Sequence, residues 1–192
     1  RSWASLKAGE AESTRENRGV ELSLTTKWNQ HGPYQDSLLI CELYNNECPK
    51  TNENVRCVTG CTATAVAQVL KKWEYPVHGL GNKCLELENP QHPECYPIEI
   101  DFASTTYDWQ NMPVELTCSS PQEEIDAVAI LMKHCGVAMD MNYGTASEGS
   151  FAPYIEESFT RYFDYSTSAH IEYSCNYEDA AWINMLKKEI DE

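Results

Sequence analysis

The stretch that decides the fold is Asn54–Pro76, NVRCVTGCTATAVAQVLKKWEYP. At its centre a Gly60–Cys61 step leads directly into a run with helical periodicity. Ala63, Val66, Ala67, Leu70 and Trp73 recur at spacings of three and four, so they share one face of a helix over Thr62–Trp73. Lys71 and Lys72 fall in its last turn, and Pro76 ends the run. Cys61 therefore stands at the mouth of a helix, where unpaired N–H groups carry about half a positive charge. A thiolate, the nucleophilic form of cysteine, is favoured beside such an end. Gly60 lets the backbone turn sharply and leaves room for a substrate to approach. On these residues alone two readings stand: a reactive thiol, or a cysteine that is buried or disulfide-bonded.

The chain around this stretch has 192 residues, enough for one ordinary domain or a large part of a bigger one. Hydrophobic residues make up 42% and charged residues 23%, the balance of a globular chain rather than a disordered one. No apolar run approaches the roughly 20 residues that span a bilayer, so no membrane partner is expected. The net charge of −16 argues against nucleic acid, whose phosphates need clustered Lys and Arg. It fits an acidic secreted protein with a well-solvated surface. Arg1–Gly19 lacks the apolar centre of a signal peptide. Residues 1–20 read as a leader or the end of a propeptide, and residues 21–192 as the domain proper.

Nine cysteines in this length suggest an oxidising compartment, and an odd number leaves at least one thiol unpaired. Cys57 and Cys61 form a CxxxC and no CxxC occurs, so no zinc or other metal is expected. Cys84 and Cys95, with ten residues between them in a Pro-containing loop, are expected to pair with each other.

Outward from the helix, Leu24–Leu38 contains a turn at Gly32–Pro33, and Cys41–Val55 reads as a surface loop. Gly79–Pro97 reads as loop and Thr106–Asn111 as a short extended piece. A second helix is expected over Ser120–Cys135, with Ser120 as cap, Pro121 in the first turn and Gly136 closing it. Val137–Gly144 reads as a strand running into a loop, Pro153–Phe163 as a helix, His170–Tyr173 as extended and Asp179–Ile190 as a final amphipathic helix. No repeat, low-complexity segment or Asn-x-Ser/Thr acceptor is present.

The segment TGCTATAVAQVLKKWEYPVHGLG resembles the nucleophile region of the streptopain family of bacterial cysteine peptidases, which carries a TGCVATATAQ type of segment, a helix, then YP and a glycine. The upstream LTTKWNQHGPY is similar to that family's T.W.Q..PY segment, and VAMDMNYG followed by SEGS is similar to its substrate-cleft loop. The likeness runs in the same order from about Leu22 to the C-terminus.

The resemblance implies an α+β, papain-like fold, of which this chain supplies mainly the helical N-terminal part. It implies a secreted cysteine endopeptidase that needs no cofactor and acts on protein or peptide substrates. Cys61 matches the nucleophile, and Gln30 matches the glutamine that donates to the oxyanion hole. Gly149–Ser150 falls near the substrate-contacting loop, although on residues alone it reads equally as a polar turn. The family's GGHAF segment, which carries the catalytic histidine, and its NWGWGG segment are absent from residues 1–192. His31, His78, His92, His134 and His170 all lack a glycine-rich setting. The base is therefore expected from residues beyond 192 or from a second chain. The alternatives are an inactive, disulfide-stapled binding domain and a zymogen fragment on the same scaffold.

Overall fold

The computed structural model describes residues 24–32, 34, 35, 38, 39, 42–86, 90–145 and 152–191. They fall into two units, Leu24–His170 and a second whose described part is residues 171–191.

The first unit opens with a small hairpin. Strands β1 (Tyr34–Gln35) and β2 (Leu38–Leu39) pair antiparallel. Helix α1 follows at Cys61–Trp73, then the antiparallel pair β3 (Asn82–Leu85) and β4 (Ile98–Asp101), in register Asn82↔Asp101 through Leu85↔Ile98. Helices α2 (Gln122–Ala138) and α3 (Ala152–Arg161) complete it. The second unit contains α4 (Asp179–Asp191). No described helix is long and apolar enough to cross a membrane.

Helix α1 forms as its periodicity demands. Ala63, Val66, Ala67 and Leu70 are buried, while Trp73, at the end of that row, is 48% exposed. The helix stops at Glu74, before Pro76, in the left-handed conformation (φ +49°), with its N–H bonded to the Leu70 and Lys71 carbonyls. Lys71 Nζ anchors the end by reaching Glu74 Oε1 and the Trp109 carbonyl, each at 2.7 Å.

The helix buried on nearly every side is α2, not α1: Ile125, Val128, Leu131, Met132, Cys135 and Val137 all lie in the core. It differs from the sequence expectation at both ends. Pro121 stands at the N-cap with no side-chain cap, because the Ser120 hydroxyl turns back to accept the Thr117 N–H at 3.1 Å. Gly136 does not close the helix. It lies buried inside it, and a side chain there would collide with the Tyr143 hydroxyl. Val137 and Ala138 are consequently helical, and the strand expected over Val137–Gly144 does not form.

The loop expected over Gly79–Pro97 holds β3 and a 3₁₀ turn at Pro93–Cys95. The piece at Thr106–Asn111 is extended only at Thr106, which bridges His78, before a 3₁₀ turn at Trp109–Asn111. Residues 170–173 form no strand. Residues 42–55 are turns, as expected, but Tyr44, Asn45 and Cys48 are buried rather than at the surface.

Cysteine pairing also departs from expectation. Cys84 and Cys95 do not pair: Cys84 is an exposed free thiol and Cys95 a buried one. Cys84 Sγ lies 3.5 Å from Glu86 Oε1, whereas Cys95 Sγ faces Cys57. Cys118 is disulfide-bonded.

Candidate active site

Cys61 is the first residue of α1, and its side chain is exposed and free. Among the described residues its thiol has one polar contact, Thr62 Oγ1 at 4.0 Å. The Cys61 side chain is exposed among the described residues, so an electrophile can reach the sulfur.

The approach to Cys61 is held by specific contacts. Gly60 has φ +91° and ψ 151°, a conformation essentially restricted to glycine. A Cβ there would also lie 2.6 Å from Met141 Cε, so the end of the Met141 side chain would have to move. The Gly60 carbonyl accepts the Thr64 N–H at 3.1 Å and the Thr64 hydroxyl at 2.9 Å, which seats the first turn. Just upstream, Asn45 Oδ1 accepts both the N–H and the hydroxyl of Thr59 at 2.9 Å. The Val58 N–H reaches the Gly144 carbonyl at 3.0 Å, which ties the segment before Cys61 to the loop after α2.

That loop is fixed in turn. The Tyr143 N–H donates to Tyr96 Oη at 2.6 Å, the Tyr143 hydroxyl donates to the Lys133 carbonyl at 3.2 Å, and the Met141 N–H donates to the Gly136 carbonyl at 2.9 Å. Sequence reasoning singled out this loop through the VAMDMNYG motif, but it missed Asn45, Thr59 and Tyr96. The spacing of those three residues carries no signal, because they matter only through partners distant in the chain.

Gln30 stands in a firmly tethered segment. The Trp28 indole N–H donates to the Pro113 carbonyl at 2.8 Å, the Lys27 N–H to the Val114 carbonyl at 2.8 Å, and Thr26 Oγ1 to Gln68 Oε1 on α1 at 3.0 Å. Asn29 shapes the turn around Gln30, accepting the His31 N–H at 2.8 Å and donating to the Gly32 carbonyl at 3.0 Å. The His31 carbonyl accepts the N–H groups of Leu43 and Tyr44 at 3.2 Å, so Gln30 and Thr59 hang on one frame through residues 43–45. Gln30 Oε1 is buried and has no hydrogen-bond partner among the described residues. Oε1 is an acceptor, so any donation from Gln30 to a ligand would come from its Nε2. Gly149 and Ser150 lie outside the described residues.

None of the five histidines hydrogen-bonds the Cys61 thiol. His134 is buried in the core, with Nδ1 3.0 Å from the Tyr107 hydroxyl, and burial lowers its pKa to about 4. His78 meets Thr106 Oγ1 at 3.1 Å, His92 meets Glu94 Oε1 at 3.4 Å and His170 meets the Ser168 carbonyl at 2.8 Å. His31 follows Gln30 and is half-buried.

A cleft of about 400 Å³ lies at the other end of α1, lined by Gln68, Lys71, Lys72 and Glu74 on one side and by Leu24–Thr26 and Met112–Val114 on the other. Gln68 is seven residues from Cys61, about 10 Å along the helix axis. This cleft does not contain the thiol.

A sequence profile of the peptidase C10 family matches residues 40–192. Streptopain of Streptococcus pyogenes is 29% identical over 150 residues, 75% of this chain and 35% of streptopain. The thiol protease/hemagglutinin PrtT of Porphyromonas gingivalis is 22% identical over 152 residues, 78% of this chain and 17% of that protein. Among solved structures, active wild-type interpain A, a cysteine protease of Prevotella intermedia, matches with a TM-score of 0.74 at 37% identity, covering 87% of this chain and 63% of that one. A prointerpain A fragment from the same organism matches with a TM-score of 0.75 at 36% identity, covering 88% of this chain and 51% of the fragment. The chain thus spans about a third of streptopain and less than two thirds of either interpain chain. Its fold is α+β and papain-like, and the chain belongs to the peptidase C10 family of cysteine peptidases.

Proposed function

We propose that the protein containing this chain is a secreted cysteine endopeptidase whose nucleophile is Cys61. The observation that carries this reading is the exposed, free Cys61 thiol at the first position of α1, set there by a glycine conformation no other residue easily adopts. A histidine base takes the thiol proton, and the thiolate attacks the scissile carbonyl of a protein substrate. The Gln30 amide and the Cys61 backbone N–H donate to the oxyanion that forms. One such donor is typically worth about 2.7–4 kcal/mol in the transition state. The histidine then protonates the leaving amine, and water hydrolyses the acyl-enzyme.

The base is proposed to lie outside residues 1–192. Among the described residues the Cys61 thiol meets none of the five histidines. Gly149 and Ser150 are proposed to border the bound substrate, on the strength of the SEGS likeness.

Hydrolysis of unfolded casein by the full-length protein tests the reading. Cys61→Ala is expected to abolish cleavage, and Gln30→Ala to lower kcat by about 10²–10³ with little change in KM. Residues 1–192 alone are expected to be inactive. Undiminished cleavage by the Cys61→Ala variant would overturn the nucleophile assignment, and Cys61-dependent cleavage by residues 1–192 would place the base among the five histidines.

A further inference from the structure

The thiols of Cys57 and Cys95 lie 3.2 Å apart, Sγ to Sγ, and both side chains are buried. That gap exceeds the ~2.05 Å of a covalent S–S bond by only about 1 Å. The other thiols have different neighbours. Cys48, also buried, turns its sulfur to Thr59 Oγ1 at 3.3 Å, and Cys84 is exposed beside Glu86. The disulfide at Cys118 shows that this fold already accommodates a crosslink.

We propose that Cys57 and Cys95 form a disulfide that pins the segment leading into Cys61 to the turn at Pro93–Tyr96. Cys57 is four residues before Cys61, and its N–H is held by the Pro49 carbonyl at 2.9 Å. The same turn presents Tyr96 Oη to the Tyr143 N–H at 2.6 Å. It therefore braces the loop behind Gly60 through Tyr96 and the segment ahead of Gly60 through Cys95. The crosslink makes the second brace covalent. It stands whether or not Cys61 is the nucleophile.

In forming the bond, two thiols give up two protons and two electrons. A disulfide of the oxidising compartment, either a small molecule such as oxidised glutathione or a thiol oxidoreductase, takes them up and becomes two thiols. The step runs through a mixed disulfide with one of the two cysteines, which the other then displaces. Exchange needs an accessible thiolate, and burial pushes both thiols up from their ordinary range in the folded chain. The bond therefore forms as the chain folds, before the pair is covered. Afterwards it is shielded from reductants that reach the exposed Cys61, so a single molecule carries a reduced Cys61 and an oxidised pair.

The test uses full-length protein folded in a mixture of reduced and oxidised glutathione. Native protein is alkylated with iodoacetamide, then denatured without reductant and treated with a distinguishable maleimide, and its peptides are mapped. The expected result is iodoacetamide on Cys61 and a crosslinked Cys57–Cys95 peptide, lighter by two hydrogens than the reduced pair. Maleimide on both Cys57 and Cys95, or a crosslink from Cys95 to Cys84 or Cys48, would overturn the proposal. A second arm compares urea unfolding of the wild type and a Cys57→Ala/Cys95→Ala variant. Reductant is expected to lower the wild-type midpoint more than the variant's. Equal shifts in the two would contradict the crosslink.

Discussion

Asn45 Oδ1 accepts two hydrogen bonds from Thr59, one from the N–H and one from the hydroxyl, both 2.9 Å long and all of it buried. This contact sets the backbone two residues ahead of Cys61. Asn45→Ala leaves the Thr59 N–H without its buried acceptor, while the hydroxyl retains the Tyr44 carbonyl at 3.4 Å and Cys48 Sγ at 3.3 Å, at a cost of about 1–3 kcal/mol. Chemical denaturation is expected to show that loss, and alkylation of Cys61 in the folded variant is expected to change in rate. A variant as stable as the wild type would mean that Thr59 does not depend on Asn45.

Two glycines with positive φ separate backbone strain from crowding. Gly60 combines φ +91° with Met141 Cε 2.6 Å from a Cβ position, whereas Gly81, at φ +62°, has open space around it. Gly81→Ala is expected to cost about 1–2 kcal/mol, from backbone conformation alone. Gly60→Ala meets the forbidden backbone region and the Met141 side chain together, and is expected to cost at least ~3 kcal/mol. Urea unfolding of the two variants compares them directly, and equal losses would contradict the steric role of Met141.

The buried His134 makes stability depend on pH. In the folded chain it stays neutral down to about 4, against an ordinary value of 6.5, because burial disfavours its charged form. Between those values the unfolded chain binds more protons, so stability falls as pH is lowered through that window. The loss attributable to this residue is roughly 2–3 kcal/mol, at up to about 1.4 kcal/mol per pH unit. His134→Gln keeps a polar partner for Tyr107 but does not titrate. Denaturation midpoints from pH 7 to pH 4 are expected to fall more steeply for the wild type than for this variant, and parallel curves would contradict the assignment.

What could be read from the chain itself follows from how local each cause is. Helix α1 was legible because its buried row, Ala63 to Leu70, repeats within one segment and the Gly60–Cys61 step marks its start. The extent of α2 was not, because Gly136 is there for its contact with Tyr143, which no local rule reveals. Strands β3 and β4 were overlooked, although Ile98 and Ile100 alternate inward against Glu99 and Asp101 at the strand period. The pairing expected for Cys84 and Cys95 rested on closeness in the chain. Folding instead leaves Cys84 exposed and brings Cys95 to Cys57, 38 positions away.

The central claim is that Cys61 is the nucleophile, and a peptide electrophile tests it most directly. Full-length protein is incubated at neutral pH with a peptidyl fluoromethyl ketone, and the labelled site is mapped by mass spectrometry. The account predicts one label per molecule, on Cys61, with Cys84 and Cys175 unlabelled although they too are exposed. It also predicts slower labelling when Gln30 is replaced by Ala. Equal labelling of Cys61, Cys84 and Cys175, at the rate of a free thiol in solution, would contradict it.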